Sequence, residues 1–300
     1  MKLFITGLAV FTAALIGTTQ SHAASDSSYT WGLDRDRGAI TNEMKQWSAN
    51  AMKKMGVSLC LVETDYVLFY NDLDPAEATR WTRLLDRTYH SLCRDFNLPK
   101  NVNIWYGKAV VFAFEHKTDW VAMEQIIFKN AKAKESAGFC HNSKRGDVVI
   151  TAYRQRDESR FAAVLVHEAT HGFLHRYRSQ TFVPNWVSEG LAEAVSQSIV
   201  PVARYHESRE KRAIAELHTR GSIGKQYFTS QQIEDWQYGA SMSLTKFMVR
   251  SNRQSYVAFI NGLKDGMPWK ESLKKNYGAN VDQLINAYGE SVGIKDLRPH

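Results

Sequence analysis

The chain has 300 residues, 44% hydrophobic and 23% charged, with six prolines and three cysteines. That composition excludes a disordered, collagen-like or proline-rich chain, and the length suits one large domain or two intimate ones. A formal charge of +7 without a dense Lys/Arg stripe excludes a nucleic-acid footprint, so no nucleic-acid partner is expected.

Met1-Lys2 is a short positive start, Leu3 to Gly17 is almost purely apolar, and Ser21-His22-Ala23 supplies small residues before a cut. This is the pattern of a secretory signal peptide over residues 1–23, with the mature chain starting near Ala24. The apolar run is shorter than the ~20 residues a spanning helix needs, an uncleaved anchor being the alternative. Every later apolar stretch is broken by charge, so no stable membrane insertion is expected after cleavage. The brief leader has a bacterial look and places the protein in the periplasm or outside the cell. In that oxidising setting Cys60, Cys93 and Cys140 suggest one disulfide plus one leftover thiol, or else three buried small hydrophobes.

Residues 24–37 are polar and read as a loose leader. Asn42 to Met55 has helical spacing, and Val57–Val62 and Tyr66–Tyr70 read as strands around a Glu63-Thr64-Asp65 turn. Asp74-Pro75 opens a helix whose apolar face runs through Trp81, Leu84, Leu85, Tyr89 and Leu92 to a stop at Pro99. Val102–Tyr106 and Val110–Phe114 are two more expected strands. Asp119 to Lys134 returns to helical spacing, its lysines forming a solvated face, and Asp147–Tyr153 is a further strand. From Ser159 the pattern stays helical, with breaks near Pro184, Pro201 and Gly221. The expected fold is α+β, with a mixed or antiparallel sheet and helices in the N-terminal half and helices alone in the C-terminal half. Residues 24–135 form the first region and 136–300 the second, packed as one unit.

The chemistry concentrates at the junction, in His167-Glu168-Ala169-Thr170-His171. Two histidines four apart on a helix share a face at about 5–6 Å, close enough to grip one metal. Glu168 is swung about 100° from His167, beside the ion, where a general base belongs. Phe161, Val164, Leu165, Ala169, Phe173 and Leu174 make this a core helix. A buried helix has little reason to hold two His and a Glu without a partner.

Trp186-Val187-Ser188-Glu189-Gly190-Leu191-Ala192-Glu193 supplies a third ligand from the next helix, which Pro184-Asn185 allows to turn back. Glu189 completes two His, one Glu and an open position. Glu193, one turn on along the same face, is cast as the acceptor of a ligand histidine's free N–H, the swapped roles being the alternative.

HEATH followed by WVSEGLAEA resembles the gluzincin metallopeptidases, the clan of thermolysin and the M1-type aminopeptidases, especially its compact peptidase MA-like members. The resemblance implies zinc held by His167, His171 and Glu189, with Glu168 as base. A looser likeness extends through Trp236-Gln-Tyr238-Gly-Ala-Ser and Tyr277-Gly-Ala-Asn-Val-Asp-Gln-Leu. It implies an oxyanion donor from the later helices, for which Tyr238 is the first candidate and His218 and Tyr227 weaker ones; a Tyr packed in the core is the alternative. It also implies an edge strand ahead of the zinc helix that pairs with substrate, placed at Ala137–Cys140.

His175 is a rival ligand only on paper. It lies about 12 Å from His167 along a straight helix, and three ligands at such spacing cannot converge on one ion. Leu174 and Tyr177 stand where a metzincin needs Gly and His. The expected activity is zinc-dependent hydrolysis of a peptide or protein substrate. The alternatives are a binding or scaffold protein of the envelope, and a zinc hydrolase of a non-peptide amide.

Overall fold

A computed structural model describes residues 28–32 and 35–300, so the signal segment 1–23 and the new N-terminus at Ala24 lie outside the described residues. Helix α1 (Arg37–Met55) starts at an Asp36 cap. Strands β1 (Cys60–Glu63) and β2 (Val67–Asn71) form the expected antiparallel hairpin, Glu63 facing Leu68. Its turn is held by the Thr64 hydroxyl, which accepts from the Tyr66 and Val67 N–H groups. Helix α2 (Pro75–Asp95) follows its Asp74 cap, then β3 (Ala109–Phe114), α3 (Lys117–Ile126), β4 (Gly138–Asn142), β5 (Val148–Tyr153) and α4 (Glu158–Arg176).

The five strands form one mixed sheet in the order β1-β2-β3-β5-β4. The central β2, β3 and β5 are mutually parallel, while β1 and β4 run antiparallel at the two edges. Strand period sorts the sheet residues between two cores. Val67, Phe69, Val111 and Ala113 face α2 and α4, whereas Leu68, Tyr70, Val110 and Phe112 face α1 and α3. Burial on both faces is why β2 and β3 read as unbroken apolar runs. Strands β4 and β5 follow residue 135 yet share the sheet of β1–β3.

The rest is helical: α5 (Asn185–Ile199), α6 (Tyr205–Arg220), α7 (Asp235–Ser251), α8 (Arg253–Lys264), α9 (Trp269–Tyr277) and α10 (Val281–Ser291). The architecture is α+β, with the sheet in the N-terminal half and helices in the C-terminal half. The core on the α4 face continues from Val67 to Leu297, joining both halves. Among the described residues no helix is long and apolar enough to cross a membrane.

Several local expectations are corrected. Val102–Tyr106 is buried but is no strand, because side chains take its backbone groups. The Tyr89 hydroxyl donates to Val102 O and accepts from Ile104 N–H, while Thr30 and Arg176 donate to Ile104 O. Helix α3 stops at Ile126, and Lys129 takes a positive φ of 59°, so the lysines of 129–134 sit on an exposed loop and a short 3-10 turn. All three cysteines are free: Cys60 exposed on an edge strand, Cys93 buried, Cys140 half-buried. The leader is anchored where it is described. Thr30 donates to Ile104 O at 2.7 Å, and the Trp31 indole donates to His175 O at 2.8 Å.

Candidate metal centre

Helix α4 begins at Asp157, whose carboxylate accepts from Ser159 N–H at 2.9 Å. Phe161, Ala163, Leu165, Val166 and Phe173 are fully buried, pinning one side of the helix in the core. Gly172 brings it close to the sheet, since a Cβ there would lie 2.6 Å from Val148 Cγ1. His167, Glu168 and His171 are left lining an open cleft of about 1410 Å³.

Helix α5 crosses beside α4 and presents Glu189 to the same cleft. Here a glycine again sets the distance. A Cβ on Gly190 would lie 2.4 Å from Thr245 Oγ1 and 2.5 Å from Ser241 O on α7.

His167 Nε2 and His171 Nε2 are 3.0 Å apart, and Glu189 Oε2 lies 3.3 and 3.4 Å from them. Donors bound to a tetrahedral zinc at ~2.05 Å stand ~3.3 Å from one another, so this triangle has the size such an ion requires. Among the described residues it is the one group of three such side chains with converging ligand atoms. Glu189 Oε2 is buried and has no hydrogen-bond partner. A buried carboxylate oxygen left bare between two ring nitrogens is costly, and a shared cation removes the cost. The residues fit zinc.

Further contacts surround the triangle. His171 Nδ1 meets Ser188 Oγ at 2.9 Å, and His167 Nδ1 faces Glu193 Oε1 at 3.7 Å. Glu193 is buried, paired with Arg209, and has His206 Nε2 at 3.6 Å. Such outer contacts fix the ring orientation of ligand histidines. Glu193, expected to accept a ligand histidine's free N–H, stands 3.7 Å from His167 Nδ1, beyond hydrogen-bond length, and shares its carboxylate with Arg209 and His206. Ser188, Arg209 and His206 were not singled out from the sequence. Ser188 had a signal, being next to Glu189 and one turn from the helix start; Arg209 and His206 come from another helix and had none.

The electrostatics are those of a site that wants positive charge. Burial would lower the pKa of His167, but Glu189, Glu193 and Glu168 outweigh it and raise it to about 9. Burial likewise opposes ionisation of Glu189, yet the two histidines hold its carboxyl well below the usual range. Glu168 is pushed up by burial, only partly offset by the histidines. A carboxyl raised in this way is suited to carrying a proton between two partners.

The remaining candidates separate. Tyr238, on the first turn of α7, lines the cleft, and burial raises its phenol to about 12 while the Arg209 guanidinium lies 5.3 Å from its ring centre. Tyr227 is fully buried with its hydroxyl 2.8 Å from Ser241 Oγ, a core residue. His218 is exposed on the last turn of α6, away from the cleft. His175 is half-buried and lines the cleft outside the metal triangle, with Trp31 edge-on at 5.1 Å, and burial lowers its pKa to about 4. The strand expected at 137–140 is β4, at the free edge of the sheet and along one wall of the cleft. Cys140 is on it, its thiol pushed well up by burial, which keeps it protonated and unreactive.

No protein-family model matches the chain, and no curated protein matches it.

Proposed function

We propose that the protein is a secreted zinc-dependent peptidase that acts in the periplasm or outside the cell. The observation that carries this reading is the triangle of His167 Nε2, His171 Nε2 and Glu189 Oε2, sized for one tetrahedral ion and open to a cleft. Zinc, when bound, supplies a Lewis acid for the scissile carbonyl and makes water more acidic. The chain's own residues do the rest. Glu168, next to His167 in the chain and on the cleft wall, takes the proton of the attacking water and passes it to the leaving amine. Tyr238, which lines the same cleft and is protonated at neutral pH, donates to the developing oxyanion. The free edge of β4 offers backbone N–H and C=O groups to an extended peptide, which is held as an added strand.

The test is the Glu168→Gln protein. It retains stoichiometric zinc and loses cleavage of an unfolded protein substrate by on the order of a thousandfold, the scale of a general base. Undiminished cleavage in this variant, or wild-type cleavage that survives chelation, overturns the reading.

A further inference from the structure

The cleft extends past the metal triangle toward the C-terminal end of α4, and its walls there change character. Phe182, in the loop between α4 and α5, is 80% exposed, although it lines the cleft. Its nearest ring neighbour is His175, at 6.4 Å. Phe228 and Trp269 line the same cleft, stacked at 5.0 Å with 17° between their planes. Both abut Trp186 edge-on, at 5.5 and 5.7 Å. Trp186 is fully buried and lies three residues before Glu189 on α5. The stack is therefore braced from behind by the helix that carries the third ligand.

The loop bearing Phe182 is also fixed to that wall. Lys264 Nζ donates to Thr181 O at 2.8 Å, and Lys264 ends α8, five residues before Trp269 opens α9. Phe182 is the large apolar side chain left in water here, beside the partly buried Phe228 and Trp269, and such exposure at the rim of a cleft signals a partner that covers it. Elsewhere the cleft is lined by Lys117, Lys134 and Arg160, the first and last lying over the Tyr153 and Tyr205 rings, so cations mark that part of the wall.

We propose that this end is a subsite for an aromatic side chain of the substrate, seated between Phe182 and the Phe228–Trp269 stack. The inference rests on the peptidase reading and names its substrate class: extended peptides with an aromatic residue on the α4 C-terminal side of the scissile bond. An aromatic ring gains both burial and offset or edge-to-face contacts here, which an aliphatic or charged side chain does not. Phe182 then forms one side of the subsite and the braced stack the other.

The experiment measures binding and cleavage separately. Fluorescent ten-residue peptides identical except for one central Phe, Tyr, Ala or Glu are titrated by anisotropy against the zinc-loaded Glu168→Gln protein. The Phe and Tyr peptides bind about tenfold more tightly than the Ala peptide, roughly what one well-packed ring contributes. Adding Phe182→Ala, a change at an exposed position that leaves the core intact, reduces that advantage to about threefold or less. Equal binding of the Phe and Ala peptides, or an advantage untouched by Phe182→Ala, overturns the subsite. Wild-type protein on the same peptides gives the second readout. Aromatic-selective binding without cleavage sinks the peptidase reading and leaves the subsite standing; cleavage without aromatic preference does the reverse.

Discussion

A single oxygen separates the roles of the two glutamates on α5. Glu189 Oε2 lies within 3.4 Å of both ring nitrogens and has no hydrogen bond, while Glu193 is engaged by Arg209 and reaches only the back of His167. If Glu189 is the third zinc ligand proposed, removing it and removing a support differ in size. Glu189→Ala should all but abolish zinc binding, whereas Ser188→Ala, which frees His171 Nδ1, should weaken it about tenfold. Competition against a zinc-chelating dye measures both. Similar losses in the two variants would mean that Glu189 is not a ligand. Glu193→Ala is a poorer probe, because it also strips Arg209 and His206 of a buried partner and costs stability.

At the scale of elements, the site depends on how closely α5 lies on α7. Gly190 has no room for a methyl group against Ser241 O and Thr245 Oγ1, and that backbone oxygen cannot swing aside. Gly190→Ala should destabilise the protein by about 1–3 kcal/mol, as overpacking does, and displace Glu189 next to it. A melting temperature and a zinc affinity both equal to wild type would show that α5 sits further from α7 than argued. The elements themselves differ in how far the sequence discloses them. The β1–β2 hairpin, α2 and α4 follow local rules: a turn between apolar runs, an Asp-Pro start, and apolar residues at helical spacing. Residues 102–106 obey the strand pattern equally well and are not a strand, because Tyr89, Thr30 and Arg176 satisfy their backbone from distant positions. The motif placed His167 and His171 on one helical face, since both lie within one turn. The network of Arg209 and His206 around Glu193 depends on how α6 meets α5, which no local pattern encodes.

At the scale of the molecule, stability couples to solution conditions through the metal and through one buried cation. Zinc bound only by the folded chain should raise stability by about 2.7 kcal/mol at a hundred times its Kd, and chelation should reverse this. Lys264 supplies the pH dependence. It is 2% exposed, and burial followed by the nearby Arg176 lowers its pKa to about 7 from an ordinary value of 10.5. His175 and Arg176 from α4 face it, and the Arg178–Asp265 pair closes the same corner. Between pH 7 and 10.5 the unfolded chain therefore holds a proton at this side chain that the folded chain has shed. Stability from this group rises with pH across that window, by at most about 1.4 kcal/mol per unit, and the full cost of burying the charge is present below pH 7. Lys264→Met removes the titrating group while keeping its apolar stem. Urea unfolding of both proteins at pH 7, 8 and 9 should show the wild type gaining on the variant as pH rises, with the gap flat from pH 6 to 5. A constant difference from pH 5 to 9 would mean that Lys264 stays protonated in the fold, held by solvent in the cleft and by its bond to Thr181 O.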